Sequence, residues 1–242
     1  MTRAVADSEF RYAGSELELF EKARNWKAYW RDQIAGFVRG DVLEVGAGIG
    51  ANTLTLADLK YERWTCLEPD AALAARIAVP SGGRHRVTTG NITDLPPDAK
   101  FDAILYIDVL EHIKDDHGEM GRAAAHLKPG GALIVLAPAH PFLFTPFDAA
   151  IGHFRRYTRA SLRGVAPETL RNERLSFLDA AGMLASAANR VVLRSAMPTE
   201  RQILTWDRLL VPISRWIDPI FAGRLGKSLL GIWRLPADQL RR

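Results

Sequence analysis

Residues 42–53 read VLEVGAGIGANT, an apolar run that leads directly into three glycines at alternate positions. The short apolar segment 41–45 predicts a buried β-strand. Gly46, Gly48 and Gly50 have no side chains, so the backbone N–H groups of this turn and of a following helix can approach a ligand closely. The stretch predicts a strand, a tight ligand-holding turn and a helix, but three glycines alone do not specify the ligand.

Strands and helices alternate around this stretch. Apolar runs predict four more strands in the first 140 residues, at 64–67, 86–89, 101–107 and 132–137, and two further strands near 174–178 and 228–233. Continuous apolar strands separated by helices indicate a parallel sheet that is covered on both faces. We therefore predict an α/β fold, a doubly wound, mostly parallel, seven-stranded Rossmann-like sheet with helices on both faces.

Helical spacing of apolar residues predicts the connecting elements. A single long helix is expected over 15–38, and shorter helices over 52–59, 71–78 and 120–127. The sequence KPGG at 128–131 predicts a turn before the fifth strand. The segment 199–221 has helical spacing that is interrupted by Pro212 and Pro219, and we expect it to form a helical insertion or lid.

Composition indicates one domain. The chain has 242 residues, 48% of them hydrophobic, which suits a single α/β domain with one sizeable core. We divide it into a ligand-binding core over 16–140 and an acceptor-binding and lid region over 141–242. The single cysteine, Cys66, excludes an internal disulfide framework. No apolar run reaches the length of a signal peptide or of a membrane span, so we expect a cytoplasmic protein.

Charge is distributed unevenly along the chain. Residues 1–150 carry 16 Lys and Arg against 21 Asp and Glu, a net charge of −5, whereas residues 151–242 carry 16 against 7, a net charge of +9. The basic C-terminal part suggests contact with an anionic group, either on a small substrate or at a lipid surface. A solvated basic face is the alternative.

Two classes of nucleotide ligand compete for the glycine turn. Gly46, Gly48 and Ala51, with Glu68 as the acid about 20 residues further on, satisfy the dinucleotide fingerprint. Glu44, however, lies two residues before the first glycine. A carboxylate there would repel a pyrophosphate and attract an ammonium or sulfonium group. Glu44 therefore favours a cationic ligand.

Several motifs in order resemble those of class I S-adenosylmethionine-dependent methyltransferases. VLEVGAGIG resembles the first motif of that family, CLEPD contains the acid that holds the ribose, and GNITDLP stands where the adenine amino group is read. YIDVLEH, at 106–112, resembles the fourth-strand motif, and LKPGGALIVLAP the fifth-strand motif. The resemblance implies S-adenosyl-L-methionine as the cofactor and a cofactor-binding set of Glu44, Gly46, Gly48, Gly50, Glu68, Pro69, Asn91, Ile92, Asp108 and Val109.

The C-terminal region supplies the candidate acceptor site. Its segment GHFRRYT is similar to one in a bacterial subgroup of small-molecule methyltransferases. His153 and His140 follow the fifth strand and are candidate general bases, and His112 follows the fourth strand, where the family uses it more often to support the cofactor. Arg155, Arg156 and Tyr157 are predicted to clamp an anionic substrate group, with a loop pinned by Arg–Asp pairs as the alternative. We predict no metal ligands.

We therefore expect an enzyme that transfers a methyl group directly, in line, to oxygen or nitrogen of a small, anionic or partly apolar acceptor. Alternatives are a cyclase or lyase that uses the same cofactor, and a lipid- or protein-docking module with a relic pocket. The segment 199–221 is a candidate lid, dimer contact or interfacial membrane helix, which leaves a lipid-linked substrate open. Nucleic acid is not an expected partner because the Asn/Asp-Pro-Pro-aromatic motif is missing.

Overall fold

A seven-stranded sheet forms the centre of the protein. The computed structural model describes residues 15–192 and 199–237. Within them the strand order is β3-β2-β1-β4-β5-β7-β6, with β1 to β5 parallel to their neighbours and β7 antiparallel to both β5 and β6. The strands are β1 (Asp41–Val45), β2 (Arg63–Glu68), β3 (His85–Thr89), β4 (Phe101–Ile107), β5 (Leu127–Pro138), β6 (Arg171–Leu178) and β7 (Ser228–Arg234). The predicted fold class and all seven predicted strands are confirmed.

Helices cover both faces of this sheet. They are α1 (Ser15–Glu21), α2 (Arg24–Ile34), α3 (Ala51–Leu56), α4 (Ala71–Ala74), α5 (Asp116–Ala125), α6 (Pro146–Ala150), α7 (Arg159–Val165), α8 (Ala180–Val192), α9 (Glu200–Thr205) and α10 (Val211–Ile217). One apolar cluster joins α2, through Trp26 and Trp30, to the sheet and to Trp206. A second cluster lies on the opposite face and includes Met120 of α5 and Leu162 of α7. Every residue of β1 is buried between these clusters, which explains why three of its five residues are apolar.

The predicted helix over 15–38 is two helices, with the break at Lys22 and Ala23. The second helix begins where two backbone N–H groups donate to the carboxylate of Asp207, from Asn25 at 3.2 Å and from Trp26 at 2.8 Å. These donors have no partner inside their own helix, so a distant acid serves as the cap. The prediction of a single helix was wrong because this cap comes from residue 207.

The predicted KPGG turn lies inside β5. Phe101 pairs with Leu127 and Ala103 pairs with Ala132, so four residues of β5 bulge out opposite Asp102. Gly130 has a φ of +76°, and its N–H donates to the carbonyl of Leu235 at 2.8 Å. A glycine in this left-handed conformation allows the bulge without ending the strand.

The segment 199–221 is helical up to Ile217, and Pro212 does not interrupt it. A π-helical turn, Trp206–Leu210, joins α9 to α10, and Pro212 lies in the first turn of α10. The wider turn precedes the proline, whose missing N–H would leave a carbonyl of a regular helix without a donor. Among the described residues, no helix combines the length and apolarity that a membrane span requires.

Candidate active site

A large cavity opens at the carboxyl ends of the parallel strands. Its volume is about 2150 Å³. This is the edge at which doubly wound sheets bind their ligands, beside the first strand. Eight of the ten predicted cofactor-binding residues line it, namely Gly46, Gly48, Glu68, Pro69, Asn91, Ile92, Asp108 and Val109. The sequence motifs therefore converge on one cavity.

The glycine turn after β1 forms a cradle in the wall of this cavity. Gly46 has a φ of +66°, and a Cβ placed on it would lie 2.7 Å from Cγ2 of Val109. A side chain at residue 46 is therefore excluded by both conformation and space. Gly50 does not line the cavity; it is the N-cap residue of α3, with a φ of +82°. The turn brings bare backbone to the cavity, as the sequence predicts.

Glu68 stands at the end of β2, facing the glycine turn. One carboxylate oxygen accepts a hydrogen bond from the N–H of Gly48 at 2.7 Å, and the other accepts from the N–H of Asp70 at 3.0 Å. The side chain is buried, and burial raises the pKa of its carboxyl above the usual value. A carboxylate fixed in this way presents acceptor lone pairs to hydroxyl groups of a bound ligand.

Glu44 does not line the cavity. Its carboxylate lies beneath the glycine turn and accepts hydrogen bonds from Oγ1 of Thr53 at 2.6 Å and from Nε1 of Trp64 at 2.9 Å. It ties α3 to β2 behind the ligand-facing surface. The expectation that Glu44 points toward a cationic ligand was wrong because its position in β1 directs it away from the cavity.

Lys27 and Asp108 place an amine and a carboxyl group on the cavity wall. Lys27, which the motifs did not identify, extends from α2, and its ammonium donates to the side-chain oxygen of Asn52 at 2.9 Å. Burial lowers the pKa of Lys27, while the negative charges of Asp108 and Glu44 oppose that change. Asp108 has a φ of +55°, a conformation uncommon outside glycine and one that accumulates at functional sites.

Tyr29, in the same helix as Lys27, packs away from the cavity, and its hydroxyl donates to the carboxylate of Asp218 at 2.7 Å.

In α6 and the loop that follows it, Asp148 holds His153 and Arg156. Nδ1 of His153 donates to the Asp148 carboxylate at 2.9 Å, and Arg156 donates two hydrogen bonds to the same carboxylate at 2.8 and 3.0 Å. Burial alone would raise the pKa of Asp148, but the hydrogen bonds from His153 and Arg156 outweigh it and leave the pKa below its usual range. All three residues line the cavity. Asp148 thereby fixes the imidazole of His153 in one orientation.

Three other predicted acceptor-site residues lie elsewhere. Nε2 of His140 lies 2.9 Å from the carbonyl oxygen of Gly226, and its ring stacks on Phe177 with the centroids 4.6 Å apart. Arg155 pairs with the carboxylate of Asp116 and donates to the carbonyl of Lys114 at 2.8 Å. Tyr157 is 1% exposed and donates to Asp116 at 2.8 Å. None of the three lines the cavity. The predicted clamp is thus reduced to Arg156, and His140 is not placed to act as a base.

Glu111 and His112 complete the cavity wall beside His153. Glu111 is 0% exposed, and its pKa is raised well above the usual value by burial and by the nearby charge of Asp108. Burial, with the neighbouring His153, lowers the pKa of His112 to about 3. The ring centroids of His112 and His153 are 4.5 Å apart, in an edge-to-face arrangement. Sequence reasoning missed Glu111, although it lies within the YIDVLEH segment that indicated the fourth-strand motif.

Comparisons with known proteins agree with this geometry. Residues 18–182 match a family model described as a methyltransferase domain. Demethylmenaquinone methyltransferase of Tropheryma whipplei is 35% identical over 153 residues, which are 57% of this chain and 58% of that protein. The chain thus spans less than two thirds of that relative. Trans-aconitate 2-methyltransferase of Deinococcus radiodurans is 27% identical over 196 residues, 76% of this chain and 74% of that protein.

A solved structure shows the same fold. N-methyltransferase NodS of Bradyrhizobium japonicum, in complex with S-adenosyl-L-homocysteine, superimposes with a TM-score of 0.58 at 17% identity. The similarity covers 93% of this chain and 98% of NodS. The sheet order, the glycine turn and the acid at the end of β2 define a nucleotide-binding α/β protein. Because the family model covers more than half of the chain, the protein belongs to the class I S-adenosylmethionine-dependent methyltransferases.

The cavity fits S-adenosylmethionine, the cofactor of this family. The cradle at Gly46, which a Cβ would fill, and the backbone of Gly48 border one side of this space. Glu68 offers acceptor oxygens for ribose hydroxyl groups, and the side chains of Asn91 and Ile92 border the same space. When bound, the cofactor supplies an electrophilic methyl group.

Proposed function

We propose that the protein transfers a methyl group from S-adenosylmethionine to oxygen or nitrogen of a small, anionic or partly apolar acceptor. One observation carries the proposal: a single cavity joins Glu68 and the glycine turn to His153 and Arg156. A cofactor at the first group and an acceptor at the second would share that space. The names of two relatives support the choice of acceptor, since one denotes a quinone precursor and the other an organic acid.

In the proposed mechanism the chain positions the acceptor and helps to remove its proton. Orientation of the reacting atoms supplies most of the acceleration in such a displacement. Arg156 faces the cavity and is held by Asp148, so it would orient an anionic acceptor without swinging freely. His153, oriented by the same carboxylate, would promote loss of the proton from a hydroxyl or carboxylic acid. An amine with a free lone pair needs no such help.

The first test is calorimetric titration with S-adenosyl-L-homocysteine, with NADH as the comparison ligand. We expect micromolar binding of S-adenosyl-L-homocysteine alone, about −8 kcal/mol. Incubation with S-adenosylmethionine and a panel of acceptors should then release S-adenosyl-L-homocysteine. Release of methylthioadenosine would instead identify a cyclase or lyase, and binding of NADH would move the protein to the oxidoreductases.

A second role is favoured by an apolar ridge along α10. Trp216 is 82% exposed and Ile220, just after α10, is 79% exposed; Ile213 and Leu209, at preceding three- and four-residue spacings, are also exposed. Arginines at 201, 208 and 224 are exposed along the same segment. An apolar ridge with basic flanks suits the surface of an anionic lipid bilayer. We infer that the protein docks there, with the cavity near lipid-linked acceptors, because Arg201 and Leu210 of this segment also line the cavity.

Flotation with vesicles that contain phosphatidylglycerol tests this role. The wild-type protein should float, and a double variant with Trp216→Ser and Ile220→Ser should not. Val79→Ser, which removes an exposed apolar side chain elsewhere, is the matched control. If the double variant instead dissociates an oligomer during gel filtration, the ridge is a subunit interface and the membrane role is wrong.

A further inference from the structure

The carboxylate of Glu111 is buried on the acceptor side of the cavity without a hydrogen-bond donor. Glu111 is 0% exposed, and in the described part of the chain neither carboxylate oxygen accepts a hydrogen bond. Buried polar groups in proteins are almost always satisfied, because an unsatisfied group loses its water and gains nothing in return. A bound ligand or ion that is not part of the chain would satisfy the Glu111 carboxylate.

Two imidazoles stand beside that carboxylate. His112, His153 and Glu111 each offer one ligand atom, and the three atoms all lie within 4.8 Å of one another. All three residues line the cavity, so a small ligand can reach them from the acceptor side. Two imidazole nitrogens and one carboxylate are a ligand set that binds first-row divalent metal ions.

Both imidazoles are also held from behind. Asp148 accepts the hydrogen bond from Nδ1 of His153, which leaves Nε2 directed toward Glu111, 3.8 Å from its Oε1. His112 is held by a hydrogen bond to the backbone of Gly152. Histidines that bind metals nearly always use their second nitrogen in this way, toward a carboxylate or a backbone carbonyl. The second hydrogen bond fixes the ring and its tautomer.

We propose that Glu111, His112 and His153 bind one divalent transition-metal ion, such as Zn²⁺, at the acceptor side of the cavity. The ion would satisfy the Glu111 carboxylate and keep coordination positions open to the cavity. This inference rests on the proposed methyl transfer and deepens it. A hydroxyl acceptor that binds the ion has a lowered pKa and releases its proton to water. His153 would then act as a metal ligand and not as the base, because Nδ1 bonds Asp148 and Nε2 would bind the ion. The acceptor class is one with an exposed oxygen donor.

The test is binding of Co²⁺ to chelator-treated protein without cofactor or acceptor. Co²⁺ reports nitrogen and oxygen coordination through its visible absorption, and calorimetry gives the stoichiometry. We expect one equivalent to bind to the wild-type protein, Glu111→Gln to abolish the absorption band, and Asp148→Asn to weaken binding by about 10- to 100-fold. His117→Gln, which removes an exposed histidine outside the cavity, is the matched control.

Thermal unfolding separates loss of the metal site from misfolding. Co²⁺ should raise the melting temperature of the wild-type protein and leave that of Glu111→Gln unchanged, because a ligand stabilises only the state that binds it. Glu111→Gln should still bind S-adenosyl-L-homocysteine. The inference is overturned if Co²⁺ binds the wild-type protein and Glu111→Gln equally, or binds neither. Either result leaves methyl transfer standing, whereas failure of the wild-type protein to bind S-adenosyl-L-homocysteine would refute the proposed function itself.

Discussion

Glu44 should make the stability of the protein depend on pH between 5 and 8. Its side chain is 2% exposed, and burial raises the pKa of its carboxyl to about 7, from an ordinary value of 4.5. Hydrogen bonds from Thr53 and Trp64 reach only Oε2, and Oε1 has no hydrogen-bond partner among residues 15–192 and 199–237. The folded protein therefore favours the protonated form, whereas the unfolded chain ionises freely.

The size of the effect follows from the two pKa values. Each pH unit between them corresponds to about 1.4 kcal/mol, so the interval from 4.5 to about 7 corresponds to about 3 kcal/mol. The stability that comes from keeping this proton is fully present below pH 4.5. It is lost as the pH rises through 7. Ionisation of Glu44 thus lowers the free energy of unfolding by about 3 kcal/mol at pH 8.

Urea unfolding of the wild-type protein and of Glu44→Gln at pH 5 and pH 8 measures this difference. Glutamine keeps an acceptor oxygen for Thr53 and Trp64 but does not titrate. Between the two pH values the wild-type protein should lose about 2.5 kcal/mol more than the variant, because part of the full effect is already lost at pH 5. The other titrating groups are the same in both proteins, so their contributions to the pH dependence cancel in the comparison. If the two pH dependences run parallel, Glu44 is already ionised in the folded state and the reasoning fails.

Two further predictions concern the site. Glu68→Ala should weaken binding of S-adenosyl-L-homocysteine at least about tenfold by loss of charged hydrogen bonds to the ribose. Calorimetry measures this, Glu62→Ala is the exposed control, and unchanged affinity would remove Glu68 from the cofactor site. Arg155→Ala should lower the free energy of unfolding by about 1 kcal/mol through its lost pairing with Asp116 and leave the acceptor KM unchanged. Arg156→Ala should raise that KM, and a rise for Arg155→Ala at unchanged stability would restore the predicted clamp.

The sheet could be predicted from the sequence because its signal is local. The central parallel strands β1 and β4 are buried along almost their whole length, so each appears as a mainly apolar run with turn residues at its ends. The break between α1 and α2 could not be predicted in this way. The cap on Trp26 comes from Asp207, 181 residues away, and no local pattern reports it.

The site could be predicted only in part, for a related reason. Glycines and the acid at the end of β2 lie where the topology brings all carboxyl strand ends together, so their convergence follows from the fold. The direction in which a side chain points does not follow from the fold. Glu44 lies in a strand whose residues are all buried, and its direction leaves no trace in the apolar pattern. Arg155 and Arg156 are neighbours in sequence but have different partners, Asp116 and Asp148.

The position of β7 determines the order in which the strands can join the sheet. β7 lies between β5 and β6 and pairs with both, with Ala132 of β5 opposite Arg234 of β7. Because a ribosome releases the N-terminal part first, β1 to β5 can assemble while residues 228–234 are still unmade. Until those residues emerge, β5 has an open edge of unpaired backbone groups, and such edges template association with other chains. The nascent protein is therefore most exposed to aggregation just before β7 is released.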